Sequence, residues 1–363
     1  MPDPTLARQR LVAQGLLTRP WATPAEAVRA FGAMQGQDLP GALASAALRT
    51  TSGSVDEVVA DLDAGRLVRG YPMRGTVFLM AAEDVTWVTQ LCAGPALRAS
   101  RARRPQLGLD EADVDRAREL AHELLAGGPA SRSALFARWD EAGPGTHEGR
   151  GYHLLSALIH ETTLCYGPWN GSDQDVVLAE TWLPADRSLE DRFNGERVPA
   201  VADLLRRYLS SHGPATIRDF AWWTKLPLKE IRAALALVAD EFESDAATTD
   251  GEPRYWRPGL LDEVTALGRT TAATLLLPGF DEFVLGYADR LFAMDEKEHA
   301  ALVPGNNGVF KKSVVRGGRV VGTWTRSGRA GKRKLELTEF ASHSPRQGAT
   351  LKRLFTDYPW VAP

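Results

Sequence analysis

Cysteine is nearly absent from this chain: only Cys92 and Cys165 occur among its 363 residues. Two thiols are too few for a disulfide framework or a cysteine-based zinc site. Long apolar runs are missing too. Nothing approaches the ~20 residues that a helix needs to cross a bilayer. The first residues, MPDPTLARQR, lack the apolar stretch of a signal segment. The expectation is a soluble protein of the reducing cytoplasm, with no membrane partner and no cofactor. An excess of one charge is also lacking, since 43 Lys and Arg face 46 Asp and Glu. That balance excludes a uniformly basic molecule, but a basic stripe on one face is compatible with it. What is present, 44% hydrophobic and 25% charged residues, excludes disorder. The length calls for roughly two or three folding units.

Charge is bunched. Arg98, Arg101, Arg103 and Arg104 form one basic group, and Arg326, Arg329, Lys332, Arg333 and Lys334 another. Acidic residues gather elsewhere, at Asp281–Glu282 and Asp295–Glu298.

An internal repeat organises the first two-thirds. Residues 128–141 read GPASRSALFARWDE and residues 213–226 read GPATIRDFAWWTKL. In each, Ser131 or Thr216 stands where a side-chain oxygen can cap a helix. Apolar residues then recur at helical spacing: Leu135, Phe136 and Trp139; Ile217, Phe220 and Trp223. An amphipathic stretch precedes each copy (Val114–Leu125, Val201–Leu209) and another follows (Gly151–His160, Leu228–Val238). Short β-rich runs close each unit, Leu164–Tyr166 with Val176–Leu178, and Glu241–Glu243 with Tyr255–Trp256. Three helices and a hairpin make a winged helix. The N-terminus fits a divergent third copy: helices at Leu6–Leu16, from Pro24, at Ala42–Leu48 and at Val55–Asp63, then a wing of Leu67–Gly70 and Thr76–Met80. The alternative, helical bundles with incidental hairpins, does not account for the recurrence of Gly-Pro-x-Ser/Thr with its surroundings.

From about residue 271 the runs Thr271–Leu277, Val309–Val315, Arg319–Thr325 and Lys332–Leu337 are β-rich, with Arg316-Gly317-Gly318 as a hairpin turn. The expected class is α+β: about three tandem winged-helix units (1–105, 106–195, 196–265) around a DNA groove. A small β-rich domain (266–363) completes the chain.

Gln35-Gly36-Gln37 is the feature with chemical promise. Residues two apart diverge on a helix but share a side in an extended segment. Gly36, Asp38, Pro40 and Gly41 all oppose an uninterrupted helix, so an extended connector is expected. Two carboxamides can then converge on one ligand, or simply satisfy backbone groups at a helix junction.

The stretches MQGQDLPGALASAALR (Met34–Arg49), LVRGYPMRGTVFLM (Leu67–Met80) and LLLPGFDEFVLGYADR (Leu275–Arg290) resemble the bacterial winged-helix DNA glycosylases, in particular the AlkZ-like branch. The likeness runs from Leu6 to Trp324. Gln35 and Gln37 match that branch's Gln-x-Gln signature; a sister branch has Gln-x-Asp. Gly36 departs from the usual apolar middle residue. The resemblance implies excision of N7-alkylated purines, including bulky adducts and interstrand crosslinks, from double-stranded DNA, and ties the branch to self-resistance against alkylating antibiotics. It implies catalytic Gln35 and Gln37. No lysine or N-terminal amine lies within the motif, so a monofunctional enzyme is expected.

The segment Thr325–Leu337 suits a hairpin whose Arg326, Arg329, Lys332, Arg333 and Lys334 touch phosphates or enter the minor groove, or else a solvated loop. Arg74 approaches DNA from the first wing or forms a structural ion pair. Asp281 and Glu282 fix local structure or line the groove, with Arg290 as their counter-charge; a catalytic acid–base pair is the lesser reading. Trp139, Trp222 and Trp223 are expected in the core. His160-Glu161-Thr162-Thr163-Leu164 fails as a zinc motif, because leucine stands where the second histidine must be. A transcriptional regulator, or a protein that sequesters drug or adduct, are the competing functions. Nothing resembles a dimerisation helix, so a monomer is expected.

Overall fold

Hydroxyl caps set where the helices begin. Thr23 and Glu26 form a reciprocal capping box at the head of helix Pro24–Phe31. Ser131 Oγ accepts the Ala134 N–H to start helix Arg132–Ala142. Thr216 Oγ1 accepts the Asp219 N–H at the head of Ile217–Thr224. Each cap satisfies an amide that the first turn would otherwise leave orphaned. The starts after Ser131 and Thr216 fall where the hydroxyls predicted them, and the first falls where Pro24 predicted it.

The computed structural model describes residues 2–245, 251–329 and 332–361. The fold is mixed α+β, with several small antiparallel sheets. The chain packs as two compact units: one of Met1–Val58, Ala202–Trp223 and Pro227–Pro363, the other of Val59–Val201 with Thr224–Leu226.

In the second unit, hairpin Leu67–Met73/Thr76–Ala81 turns at Arg74–Gly75, both in the left-handed region at φ 56° and 67°. A second hairpin, Leu164–Trp169/Gln174–Leu178, lies beside it through the pairing of Arg69 with Tyr166. Helices Glu111–Leu125, Arg132–Ala142 and Arg150–His160 pack over a core that includes Trp139, Leu154, Leu158 and Val176. The Trp139 indole donates to the Ala117 carbonyl (2.9 Å), so its one polar atom is satisfied inside that core.

In the first unit, helices Pro4–Ala13, Pro24–Phe31 and Leu39–Ala47 are joined by Ile217–Thr224 and Leu228–Val238 from later in the chain. Glu243–Ser244 pairs with Tyr255–Trp256. A four-stranded antiparallel sheet has the order Lys334–Glu339, Arg319–Ser327, Ser313–Arg316, Thr274–Leu277. Gly317 and Gly318 (φ 57° and 86°) make the tight turn between its two middle strands, a conformation that favours glycine.

Four strands begin later than their composition implies, one of them at Lys334 rather than Lys332. Residues 268–272 form a 3-10 turn, so the first strand starts at Thr274. Phe310 lies in a loop with Val309 exposed, and the next strand starts at Ser313. Ala239–Glu241 is likewise a 3-10 turn, which moves that short strand to Glu243–Ser244. The C-terminal region is also not purely β. Helix Pro345–Thr356, capped by Ser344 and Gln347, packs Leu351 and Phe355 with Trp324, Val314 and Leu276. Among the described residues, no helix is long and apolar enough to cross a membrane.

Candidate active site

Helix Pro24–Phe31 stops at Gly32, whose φ of 78° few other residues adopt without strain. The chain then runs extended through Met34–Gln35 and bends at Gln37 and Asp38 before helix Leu39–Ala47. The expected non-helical connector is therefore present. Extension ends at Gln35, however, so no continuous strand forces the two glutamines to one side. Gln35 is buried, 7% exposed, while Gln37 is open to solvent. Gln35 Oε1 accepts the Gly36 N–H at 3.2 Å.

A buried polar cluster holds this connector from beneath. Glu282, fully buried, accepts the Gln35 backbone N–H on Oε1 at 2.7 Å, and its Oε2 lies 3.3 Å from His212 Nε2. The neighbouring Asp281 carboxylate meets Arg49 through two bonds of 3.0 and 2.9 Å and accepts from Ser45 Oγ at 2.6 Å. Ser45 lies on the helix that follows the motif, and Arg49 just beyond its end. Gln14 ties the halves together: its Oε1 accepts from Arg49 (2.7 Å) and its Nε2–H donates to the Glu282 carbonyl (3.2 Å). Asp281 and Glu282 thus secure the motif at its entrance and beyond its exit.

These contacts correct two expectations. The acidic pair opens the short helix Glu282–Leu285, with Asp281 Oδ1 capping the Phe283 N–H. Asp281 is answered by the charge of Arg49, and Glu282 by hydrogen bonds from His212 and the Gln35 amide, not by Arg290. Arg290 instead lies over the rings of Trp222 (4.8 Å) and Phe310 (5.2 Å). With Asp281 2% and Glu282 0% exposed, the structural reading of the pair holds and a groove-lining one does not.

Burial pulls the Asp281 carboxyl upward, but the Arg49 charge and hydrogen bonds, with Ser45 and the Phe283 amide, outweigh it and hold the group below its ordinary value. Burial pushes His212 below its ordinary value against the opposing pull of Glu282. The neutral ring fits its surroundings, with Nε2–H donating to Glu282 and Nδ1 2.9 Å from Ser211 Oγ. It stacks on Tyr208 (4.3 Å, 12°) and meets the edge of Phe31 (5.2 Å). Both carboxylates are consumed in fixing backbone, which leaves neutral carboxamides as the motif's own chemistry.

The basic segment is a hairpin. Arg319–Ser327 pairs with Lys334–Glu339, closing at Ser327 opposite Lys334; the expected tip residues Ala330 and Gly331 lie outside the described residues. Arg326, Arg329, Lys332 and Lys334 are exposed. Arg326 and Arg333 lie over the Trp360 ring at 5.0 and 4.6 Å, which gives that part of the hairpin a fixed support. Arg74 lies over Phe78 at the turn of the first hairpin in the other unit (5.2 Å). In the first basic group Arg104 is buried and paired with Glu111 at 2.5 Å, while Arg98, Arg101 and Arg103 remain exposed. Trp139 and Trp223 are core residues as expected; Trp222 is only half-buried. Among the described residues, no group of three or more His, Cys, Asp or Glu is placed to hold a metal.

The sequence matches the family described as DNA glycosylase AlkZ-like over residues 28–358. The chain belongs to that family. A similar protein is the interstrand DNA cross-link repair glycosylase of Streptomyces sahachiroi, 28% identical over 282 residues, which cover 75% of this chain and 72% of the relative. The solved structure of the Streptomyces sahachiroi DNA glycosylase AlkZ has the same fold: TM-score 0.73 at 22% identity, covering 99% of this chain and 97% of that one. As a member of a DNA glycosylase family, the chain is an enzyme whose substrate is DNA. Gln35 and Gln37 stand out in the sequence, whereas Gln14, Arg49 and His212, which complete the buried cluster, do not. No local pattern marks them: Arg49 ends ASAALR with Ser45 four residues before it, and His212 closes the mixed run LLRRYLSSH.

Proposed function

We propose that the chain is a monofunctional DNA glycosylase that excises N7-alkylated purines, bulky adducts and interstrand crosslinks among them, by attack of water at deoxyribose C1′. The observation that carries this reading is the Gln35-Gly36-Gln37 connector, with the Gln35 backbone fixed by buried Glu282 and the Gln37 side chain at solvent. The name of the Streptomyces relative supports crosslinked DNA as the substrate class.

The chemistry suits neutral carboxamides. A glutamine is a poor proton acceptor, so it cannot drive a reaction that needs a strong general base. An N7-alkylguanine is already cationic and leaves as a neutral base when the N9–C1′ pair departs with it. The site then has only to position water and stabilise an oxocarbenium-like sugar with fixed dipoles. Gln35 holds the water; Gln37, at the surface, contacts the deoxyribose or assists the water. The water adds its oxygen to C1′ and gives up a proton to solvent, leaving an abasic site and an intact strand.

In this reading the chain is a monomer built of tandem winged helices (1–105, 106–195, 196–265) and a C-terminal β-rich part (266–363). The duplex lies across an open groove, because a crosslinked nucleotide cannot rotate fully into a closed pocket. Arg326, Arg329, Lys332, Arg333 and Lys334 hold phosphates or the minor groove, and Arg74 adds a contact from the first wing.

Incubation with an N7-alkylated duplex followed by hot alkali tests the activity. Strand breaks confined to the lesion are expected. Tight binding without breaks would replace the proposal with sequestration, and sequence-specific binding to undamaged DNA would replace it with a regulator.

A further inference from the structure

Four side chains of the first compact unit gather in a row that the proposed chemistry does not use. The Arg290 guanidinium lies over the Trp222 ring and the Phe310 ring, and Phe310 meets Phe280 with ring centroids 5.9 Å apart. The residues come from distant parts of the chain: the Ile217–Thr224 helix, the loop after strand Thr274–Leu277, the segment beyond Glu282–Leu285, and the loop before Ser313–Arg316. Convergence of three rings and an arginine from four places ordinarily marks a core. Here all four are only half-buried, and Val309 beside them is 55% exposed. The contrast with Trp223, the next residue along and fully buried, is direct.

Two backbone facts add to the placement. Phe280 sits at φ 62°, a conformation that bulky side chains rarely adopt and that persists only where the surroundings enforce it. A half-buried aromatic residue thus stands directly before the buried acidic pair. The row also abuts the start of the helix after Gln37. A Cβ on Gly41 would come within 3.1 Å of the Gly279 carbonyl and 2.7 Å of Asp38 Oδ2, and a Cβ on Gly279 within 2.8 Å of the Phe310 carbonyl. Glycine at 41 and 279 therefore lets the aromatic row press against the turn that carries Asp38, next to Gln37.

We propose that Trp222, Phe280 and Phe310, spaced by Arg290, are a stacking face for a nucleobase beside the lesion. The inference rests on the glycosylase reading for the identity of the ligand. Every base has a π-face, so aromatic stacking accepts any sequence, and an arginine among the rings suits a strand whose phosphates flank each base. The stack gives a displaced neighbour base a surface to rest on while the damaged nucleotide is drawn toward Gln35 and Gln37. It therefore governs affinity for distorted duplex rather than the chemical step.

The test uses the full chain and a duplex holding a tetrahydrofuran abasic analogue, which cannot be cleaved by a glycosylase. The fluorescent base 2-aminopurine is placed in turn at each flanking position. On binding, the parent is expected to change the fluorescence at one flank. Trp222→Leu and Phe310→Leu should lose most of that change and bind roughly tenfold more weakly, and Trp222→Phe should restore both. A parent that leaves every flanking position unchanged overturns the proposal without any variant. So do leucine variants, folded by circular dichroism, that give the parent's signal and affinity. The activity reading fails separately: a parent that shifts the fluorescence but yields no alkali-labile breaks on N7-alkylated DNA keeps the stacking face and loses the glycosylase proposal.

Discussion

Two charged regions of one compact unit are built in opposite ways. Around Asp281 and Glu282 every charge is buried and answered by a named partner, and the answering groups fix the backbone of the Gln-x-Gln connector. Along Arg326–Lys334 most charges stand in solvent, with two of the arginines resting on Trp360. Low dielectric makes the first region unforgiving, since a buried charge that loses its partner has no water to replace it. High dielectric and salt make the second nearly neutral for stability but attractive at a distance to a polyanion. Charge in this protein thus takes two forms: buried and fixing backbone around Asp281 and Glu282, exposed along the hairpin, where the proposed function gives it the capture of DNA.

The largest expected effect breaks the inner region. Arg49→Met leaves Asp281 buried without its counter-charge and should cost about 3–5 kcal/mol of unfolding free energy in a urea titration. A loss below about 1 kcal/mol would mean that the pair is not the anchor described. Glu282→Gln comes next. It keeps an acceptor for the Gln35 amide but removes the charge, with an expected loss of about 1–3 kcal/mol and slower base release at unchanged DNA affinity.

Acid should loosen the inner region while leaving the hairpin charges alone. His212 has a folded pKa below its unfolded value, so the unfolded chain binds more protons below about pH 6.5, and stability falls as pH drops from 7 to 5. His153, His160 and His299 shift the same way and add to the slope. The Asp281 contribution is present above the ordinary carboxylate range and is lost only as pH falls further, through its lowered folded pKa. Melting curves at stepped pH should show both stages, and His212→Gln should flatten the first.

The smallest stability effect belongs to the hairpin. Replacing Arg329, Lys332 and Lys334 with alanine should move unfolding free energy by no more than about 0.5 kcal/mol. The same variant should lower the salt slope of DNA binding by about 0.9 for each phosphate that is no longer neutralised. An unchanged slope would remove the hairpin from the DNA interface.

Local chemistry made much of this legible in the sequence. Pro24, Ser131 and Thr216 announced three helix starts, the Gly317-Gly318 pair announced a turn, and Gly36 with Asp38 and Pro40 announced the break that carries the motif. The family followed from the same blocks. The acidic pair was readable as structural but not in its partners, because Arg49 and His212 lie 232 and 70 residues away in sequence and meet Asp281 and Glu282 only through packing. Trp222 was assigned to the core from helical spacing, yet spacing cannot tell a core face from a half-covered edge. Helix Gly94–Arg103, which buries none of its residues, has no apolar stripe by which to be found.

The glutamine connector is, in the proposed function, the reactive element. Single-turnover release of N7-methylguanine from duplex DNA, read as alkali-labile breaks, measures this directly. Gln35→Ala, with unfolding and DNA binding unchanged, should slow release by about a hundredfold or more. A variant that is folded and bound but releases the base as fast as the parent would contradict it.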